Sequence, residues 1–346
     1  MNPKSEPGST KSVVAVFGAP GYTGRFVIAE LLRRGVTPIA IARKAEALSA
    51  AGFAEKGVPC RVATVDDAAS LDRALHGAQA VINCAGPFMD TAEPIANAAL
   101  RAGAHYIDVA AEQDTVRKTL ENFDEPARKA GKSVVPSTAF YGGLSDLIAS
   151  SLLGDWDAVD SIEILMGMDS WHPTPGTRTT IERNIVGNLM ITGGCLTPAC
   201  SPPTPKRWGH SGAFRDQDVI EVPFSESIVI SRHVKVSELH NFLPLVAVNE
   251  VLNKATPNPA AFDSMGRSAQ KFAVDVIVTR GNESRRAIAS GHDIYAVTAP
   301  ITCEAAKRLI AGGVLAGTHT LGQIFDGKDF LESLGSDHLT FEIATA

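Results

Sequence analysis

Residues 13–24 read Val13-Val14-Ala15-Val16-Phe17-Gly18-Ala19-Pro20-Gly21-Tyr22-Thr23-Gly24, an apolar run ending in three glycines spaced three apart. The pattern predicts a buried strand over 13–17, a sharp turn at Gly18 and a helix that opens between Tyr22 and Gly24. Gly18 can take turn dihedrals that side chains forbid. At Gly21 the missing Cβ lets a pyrophosphate approach the backbone, and Gly24 lets the helix lie close to the sheet. The unpaired N–H groups of the helix start then face the phosphates, with Ala19, Pro20, Tyr22 and Thr23 completing the loop. An apolar-periodic stretch follows (Phe26, Val27, Leu31, Leu32), which is the context this motif requires. The reading is a dinucleotide site rather than a merely tight turn.

A second apolar run, Thr37–Ala42, ends at Arg43-Lys44, 19 residues past Gly24. A site selecting NAD places an acidic residue near here to accept from the ribose 2′-hydroxyl, and that carboxylate is absent. A guanidinium suits a 2′-phosphate and Lys44 adds charge, so the expected cofactor is NADP(H).

At 346 residues and 45% apolar content, the chain can bury two cores. A net charge of −6 and a pI near 5.9 leave no basic stripe for nucleic acid. No apolar run of about 18 residues occurs, so no membrane span is expected. Met1–Lys11 is polar and lacks the apolar core of a signal peptide, which reads as a frayed tail. Cysteines at 60, 84, 195, 200 and 303 form no Cys-x-x-Cys pair and no disulfide framework. Cys195 and Cys200 lack companions at ligand spacing, so no metal site is expected. These features give a cytosolic expectation.

From 13 to 140 strands alternate with helices. Strands are expected at 13–17, 37–42, 60–65, 79–85, 105–110 and 133–138, and helices at 22–34, 44–52, 68–76, 92–102 and 114–130. This rhythm implies an α/β fold: a doubly wound Rossmann-type parallel sheet covered on both faces. After Asp146 the pattern changes. A strand is expected at 161–168, a helix at 179–192, a long loop at 196–218 and strand-like runs at 219–223 and 227–236. A hairpin follows, Lys271–Thr279 with Arg285–His292, then a helix at 302–312 and a strand at 339–343. The expected organisation is a dinucleotide-binding domain over 12–150 and a second α+β domain over 151–300, built on a mostly antiparallel sheet. Residues 301–346 form a closing helix and strand that can return to the first domain.

Ligands of open parallel sheets bind outside the carboxyl ends of the strands. Strand three leads to Asp66, a candidate acceptor for the adenine amino group, and to Asp67, which fits an N-cap. Strand four leads into Cys84-Ala85-Gly86-Pro87-Phe88, small residues against which ribose and nicotinamide can lie, with Pro87 and Phe88 as a wall. Strand five continues to Glu112, and strand six to Tyr141-Gly142-Gly143.

On the Gly18–Gly24 loop, Ala85–Phe88, His105–Asp108 and Glu112, the chain resembles the saccharopine dehydrogenase-like NADP-binding oxidoreductases, which include trans-acting enoyl reductases. Asp293–Ala299 and Phe325-Asp326 extend the resemblance over roughly residues 12–335. Two positions depart from the pattern: Ala111 replaces the glycine before Glu112, and Ser137–Tyr141 replaces Cys-Gly-Phe-Asp where substrate should lie. The resemblance implies an NADPH-dependent reductase of a C=N bond, or of a C=C bond on the enoyl-reductase side; the expected substrate is a small molecule, and the second domain is expected to form a homodimer through its sheet.

Three residues are candidates for proton transfer. Tyr141 stands at the end of strand six beside two glycines, or else packs at the seam with its hydroxyl satisfied by backbone. His172 follows a strand of the second domain, where Asp169 could orient its imidazole. Glu112 could act with a raised pKa, or anchor a loop. Lys271 and Tyr295 are weaker candidates. No Tyr-x-x-x-Lys pair appears, so a non-catalytic NADP sensor or scaffold stays open.

Overall fold

The computed structural model describes residues 12–184, 188–199, 203, 205–210 and 212–344. Its first sheet grows from the opening apolar runs. The elements are β1 (Val13–Phe17), α1 (Tyr22–Arg33), β2 (Thr37–Ala42), α2 (Ala45–Ala50), β3 (Cys60–Val62), α3 (Ala68–Leu75), β4 (Ala80–Asn83), α4 (Phe88–Arg101), β5 (His105–Asp108), α5 (Gln113–Asn122), α6 (Asp124–Ala130), β6 (Ser133–Val135) and α7 (Gly143–Leu153). The rest of the chain gives β7 (Ala158–Met168), α8 (Pro175–Arg183), β8 (Leu189–Thr192), β9 (Cys195–Pro198), β10 (Lys206–Arg207), β11 (Asp218–Glu221), α9 (Glu226–Ser231), β12 (Lys235–Pro244), α10 (Leu245–Leu252), β13 (Lys271–Arg280), β14 (Glu283–His292), α11 (Thr298–Ala311), β15 (Gly317–Thr318), α12 (Leu321–Ile324), α13 (Gly327–Ser333) and β16 (Leu339–Ala344).

The first sheet is parallel, in the order β15-β6-β5-β4-β1-β2-β3. Strand order reverses between β1 and β4, which opens the crevice at their carboxyl ends. Both faces are buried: Val14, Val16 and Ile82 belong to one core cluster, and Ala15, Phe17 and Val81 to the other. The first cluster continues through Leu144, Leu147 and Ile148 of α7 to Ile162, Ile164 and Val276 of the second sheet. That sheet runs β10-β11-β12-β7-β13-β14-β16 and is mixed, because β12 pairs with β7 in parallel.

The closing segment divides between the two sheets. Strand β15 extends the first sheet beside β6, and β16 pairs with β14 in the second. Helix α11 returns to α1 over a buried ion cluster in which Arg34 bonds Glu30 (2.5 Å) and Glu304. Hydrogen bonds from His338, Arg33 and Arg34 hold the Glu30 carboxyl well below the usual range, against the opposing effect of burial.

Several expected elements differ. The 114–130 helix is two helices broken at Phe123, with Pro126 in the first turn of α6, where a missing N–H costs nothing. The 179–192 helix starts earlier, at Pro175 behind the Thr174 cap, and stops at Arg183. Residues 189–192 instead form β8, turned back onto β9 at Gly193-Gly194, both with positive φ. The expected 196–218 loop thus contains parts of β9, β10 and β11. The first half of the strand-like run 227–236 is helix α9, buried from Glu226 to Ile230, and the strand begins only at Lys235 with β12. Strands β13 and β14 extend further than expected and meet at a tighter turn beginning at Gly281 (φ +57°).

Candidate active site at the strand ends

The glycine loop has the geometry its spacing predicts. Gly18 has φ +80°, and a Cβ on it would lie 2.9 Å from the Ala85 nitrogen. A Cβ on Gly24 would lie 2.4 Å from the Gly18 carbonyl oxygen, so the first turn of α1 fits against the loop only without a side chain. Gly21 is the N-cap residue, and a Cβ there would stand 3.1 Å from the same oxygen. Gly18 and Ala19 donate to the Ile41 carbonyl at 2.9 and 3.2 Å, tying the loop to the end of β2. Arg43 and Lys44 follow that strand end. Both are exposed, and neither side chain has a hydrogen bond or ion pair among the described residues. Helix start, glycine cradle and free cations together fit a dinucleotide carrying a 2′-phosphate. Asp66 is exposed on the loop after β3, which ends at Val62, while Asp67 caps α3 by accepting from Ser70 at 3.1 Å.

The His105–Asp108 stretch builds the floor of the site. Burial pushes the His105 imidazole down to about 4, and its neutral Nδ1 accepts from the Ser133 backbone at 3.0 Å. Tyr106 donates to Asp108 at 2.9 Å and accepts from Asn83 at 3.3 Å. Asp108 also accepts from the Ala110 and Ser137 amides at 3.0 and 2.8 Å. Burial nevertheless raises its carboxyl to about 6. One side chain thus joins the ends of β5 and β6, and holds Ser137 at φ +60°. Nothing in the linear spacing of this motif distinguished a brace from a catalytic dyad.

Above this floor lies a cavity of about 180 Å³. Thr23 of α1, Cys84, Gly86 and Phe88 line one side, and Tyr141, Trp171, Phe224 and Tyr295 another. Ala85 and Pro87 complete the strand-four segment; the Gly86–Pro87 peptide is cis and the Ala85 amide donates to Asn83. Burial pushes the Cys84 thiol up to about 12, so it stays neutral. Helix α8 closes the cavity from the second half of the chain. The site for a Cβ on Gly86 is 3.3 Å from the Thr180 hydroxyl, and Arg183 is ion-paired with Asp90 of α4.

The three proton-transfer candidates separate. Tyr141 lines the cavity, with its ring centroid 4.4 Å from Phe224 and 5.6 Å from Trp171. Its buried hydroxyl has no hydrogen-bond partner among the described residues, so the seam tyrosine with a backbone-satisfied hydroxyl is ruled out. Burial, with Tyr295 and Glu226 nearby, raises its pKa well above the ordinary value. Glu112 also lines the cavity, but its two oxygens accept from the Phe88 and Ala111 amides at 3.1 and 3.0 Å, which anchors the start of α4. His172 lies apart from Tyr141 and Glu112. It lines a neighbouring cavity that shares Tyr295 with the first, and Asp169 accepts from Lys271 and Ser170 instead of orienting the imidazole. Tyr295 had more to offer than its weak sequence signal. Its hydroxyl joins Trp171, Thr174 and Thr177 at 3.2–3.4 Å, and its ring packs edge-on to Tyr22.

Glu226 was missed by sequence reasoning. It is fully buried behind Tyr141, accepting from the Gly142 amide at 2.5 Å, and burial raises its carboxyl to about 7. A glutamate opening the apolar run Ser227–Ile230 was its only signal. Among the described residues no cluster of His, Cys, Asp or Glu could hold a metal, and no described helix is long and apolar enough to cross a membrane; Cys200 lies outside the described residues.

A two-sheet fold with a glycine-loop nucleotide site and a cavity at the parallel strand ends defines a dinucleotide-binding protein. Residues 14–135 match the saccharopine dehydrogenase NADP binding domain. A saccharopine dehydrogenase-like oxidoreductase of Mus musculus is 27% identical over 222 residues, covering 58% of this chain and 47% of the relative. A probable mitochondrial saccharopine dehydrogenase-like oxidoreductase of Arabidopsis thaliana is 24% identical over 205 residues (54% and 45%). A Caenorhabditis elegans relative described as lipid droplet localized is 25% identical over 206 residues (55% and 48%). The chain spans about half the length of these relatives. The fold is similar to that of apo saccharopine dehydrogenase (L-Glu forming) from Saccharomyces cerevisiae, with TM-score 0.66 and 10% identity over 96% of this chain and 100% of that one. The cytosolic expectation is corrected by these relatives, two of which are described as mitochondrial and as lipid droplet localized. A polar N-terminal stretch excludes neither.

Proposed function

We propose that the chain is an NADPH-dependent reductase of an activated double bond, C=N or C=C, in a small molecule held in the cavity at the strand ends. One observation carries this reading: Thr23 of the glycine-loop helix, Cys84 and Gly86 after β4, and Trp171 after β7 line the same cavity. A bound NADPH would supply hydride there. The chain's own residues position the acceptor and keep water away, through the aromatic wall and the α8 cover. Tyr141 holds its proton through neutral pH, and its hydroxyl is available to donate to the atom that becomes negative. Cys84, kept as a thiol, does not act as a nucleophile.

The reading includes a homodimer joined through the second sheet; a monomer at every concentration in sedimentation would remove that part. The activity is tested by NADPH oxidation with a panel of imines and conjugated enones. Turnover of a panel member by the parent, lost in Tyr141→Phe, is the expected result. Tight NADPH binding without turnover of any compound would make the chain an NADP sensor or scaffold.

A further inference from the structure

We infer that the cavity takes an uncharged, largely apolar molecule with a flat unsaturated or aromatic core, and rejects ligands that carry a carboxylate. This deepens the reductase reading and rests on it for the identity of the reacting site. Among the described residues no Lys or Arg lines the cavity. The cations nearest to it on α8 are already committed: Arg178 donates to the Asn253 and Thr256 carbonyls, and Arg183 pairs with Asp90. The acidic group in the wall, Glu112, is 3% exposed and has both oxygens engaged by amides, and burial raises its pKa. An anionic ligand would be stripped of water with nothing to receive its charge.

Shape supports the same class. Tyr141, Trp171 and Phe224 stand with centroids 4.4–6.5 Å apart, and two of the three pairs are tilted by only about 35°. Such plates favour flat, polarisable partners. The lining hydroxyls without a hydrogen bond among the described residues are those of Thr23 and Thr180, with the buried Tyr141 hydroxyl in the wall, all neutral groups that suit a carbonyl oxygen or imine nitrogen. The cavity of about 180 Å³ is below the ~300–1,000 Å³ of drug-sized sites and also has to admit the nicotinamide, so the bound portion of the ligand is small. Amino-acid-derived imines with free carboxylates fall outside this class.

The test compares two molecules of nearly equal shape, benzylideneacetone and cinnamate, titrated calorimetrically into protein loaded with tetrahydro-NADP, whose ring is uncharged and transfers no hydride. The ketone should bind at least tenfold more tightly, a difference of about 1.4 kcal/mol. Ile181→Lys adds a cation to a half-buried wall position on α8 and should raise cinnamate affinity by a similar factor. The parent comparison stands without this variant. Equal or tighter cinnamate binding, or no binding of the ketone, overturns the inference. Binding of the ketone with no panel compound reduced would instead sink the reductase reading and leave the ligand class standing. Reduction of carboxylate-bearing imines in preference to neutral compounds would do the reverse.

Discussion

The strand-end brace beneath the cavity and the aromatic wall of the cavity treat polar atoms in opposite ways. On the floor, Asn83, Tyr106 and Asp108 are fully buried, and each is hydrogen-bonded to a neighbouring strand or helix end. On the other side Tyr141 keeps a buried hydroxyl without a partner, and Glu226 behind it keeps one carboxyl oxygen unpaired among the described residues. Satisfied buried polar groups rigidify, whereas an unsatisfied one costs stability unless something else uses it. The floor is therefore read as scaffold, and the unpaired side as the place where a ligand is received.

The largest expected effect tests the unpaired side. Tyr141→Phe should lower turnover by about 10²–10⁴-fold with NADPH affinity unchanged. Because the hydroxyl has no partner to lose, thermal stability should not fall. Turnover within threefold of the parent would return Tyr141 to a packing role. On the nucleotide side, Gly21→Val should weaken NADPH binding by about a hundredfold by filling the approach to the backbone, while the fold persists. Unchanged NADPH affinity in that variant would place the nucleotide elsewhere.

A third expectation concerns pH. In the folded protein Glu226 keeps its proton up to about pH 7, against 4.5 ordinarily, because burial penalises its charged form. Between those values the native state binds more protons than the unfolded chain, so this group's contribution to stability is full below pH 4.5 and declines as pH rises to 7. The loss is up to about 3 kcal/mol. Urea unfolding of the parent and Glu226→Gln across this range should give a stability difference that drifts in that direction. A constant difference would mean that Glu226 titrates normally. The smallest effect is at the surface: Arg43→Ala should cost NADPH about tenfold in affinity, or 1.4 kcal/mol, and leave NADH binding nearly unchanged.

The parts of this molecule legible in its sequence are those whose signals are local. The strand β1, the glycine spacing and the β13–β14 hairpin follow from apolar periodicity and turn residues within a few positions. Helix α9 was not legible, because Ile228, Val229 and Ile230 carry strand-like propensity and become helical by being buried against α5 and α7. The Gly193-Gly194 turn stood just past the expected 179–192 helix, whose last four residues are instead strand β8. The cavity wall is harder still. Trp171 and Phe224 lie in irregular segments 53 residues apart, and their proximity to Tyr141 is a product of tertiary packing alone. His172 shows the converse hazard, since its neighbour Asp169 looked like a catalytic partner and instead holds the Lys271 amide.

The central claim is that the glycine cradle and the Arg43-Lys44 strand end bind a 2′-phosphorylated nicotinamide dinucleotide. Calorimetric titration of the parent protein with NADPH and NADH tests it most directly. The account predicts that NADPH binds at least tenfold more tightly. Equal affinities for the two, or no binding of either, would contradict it.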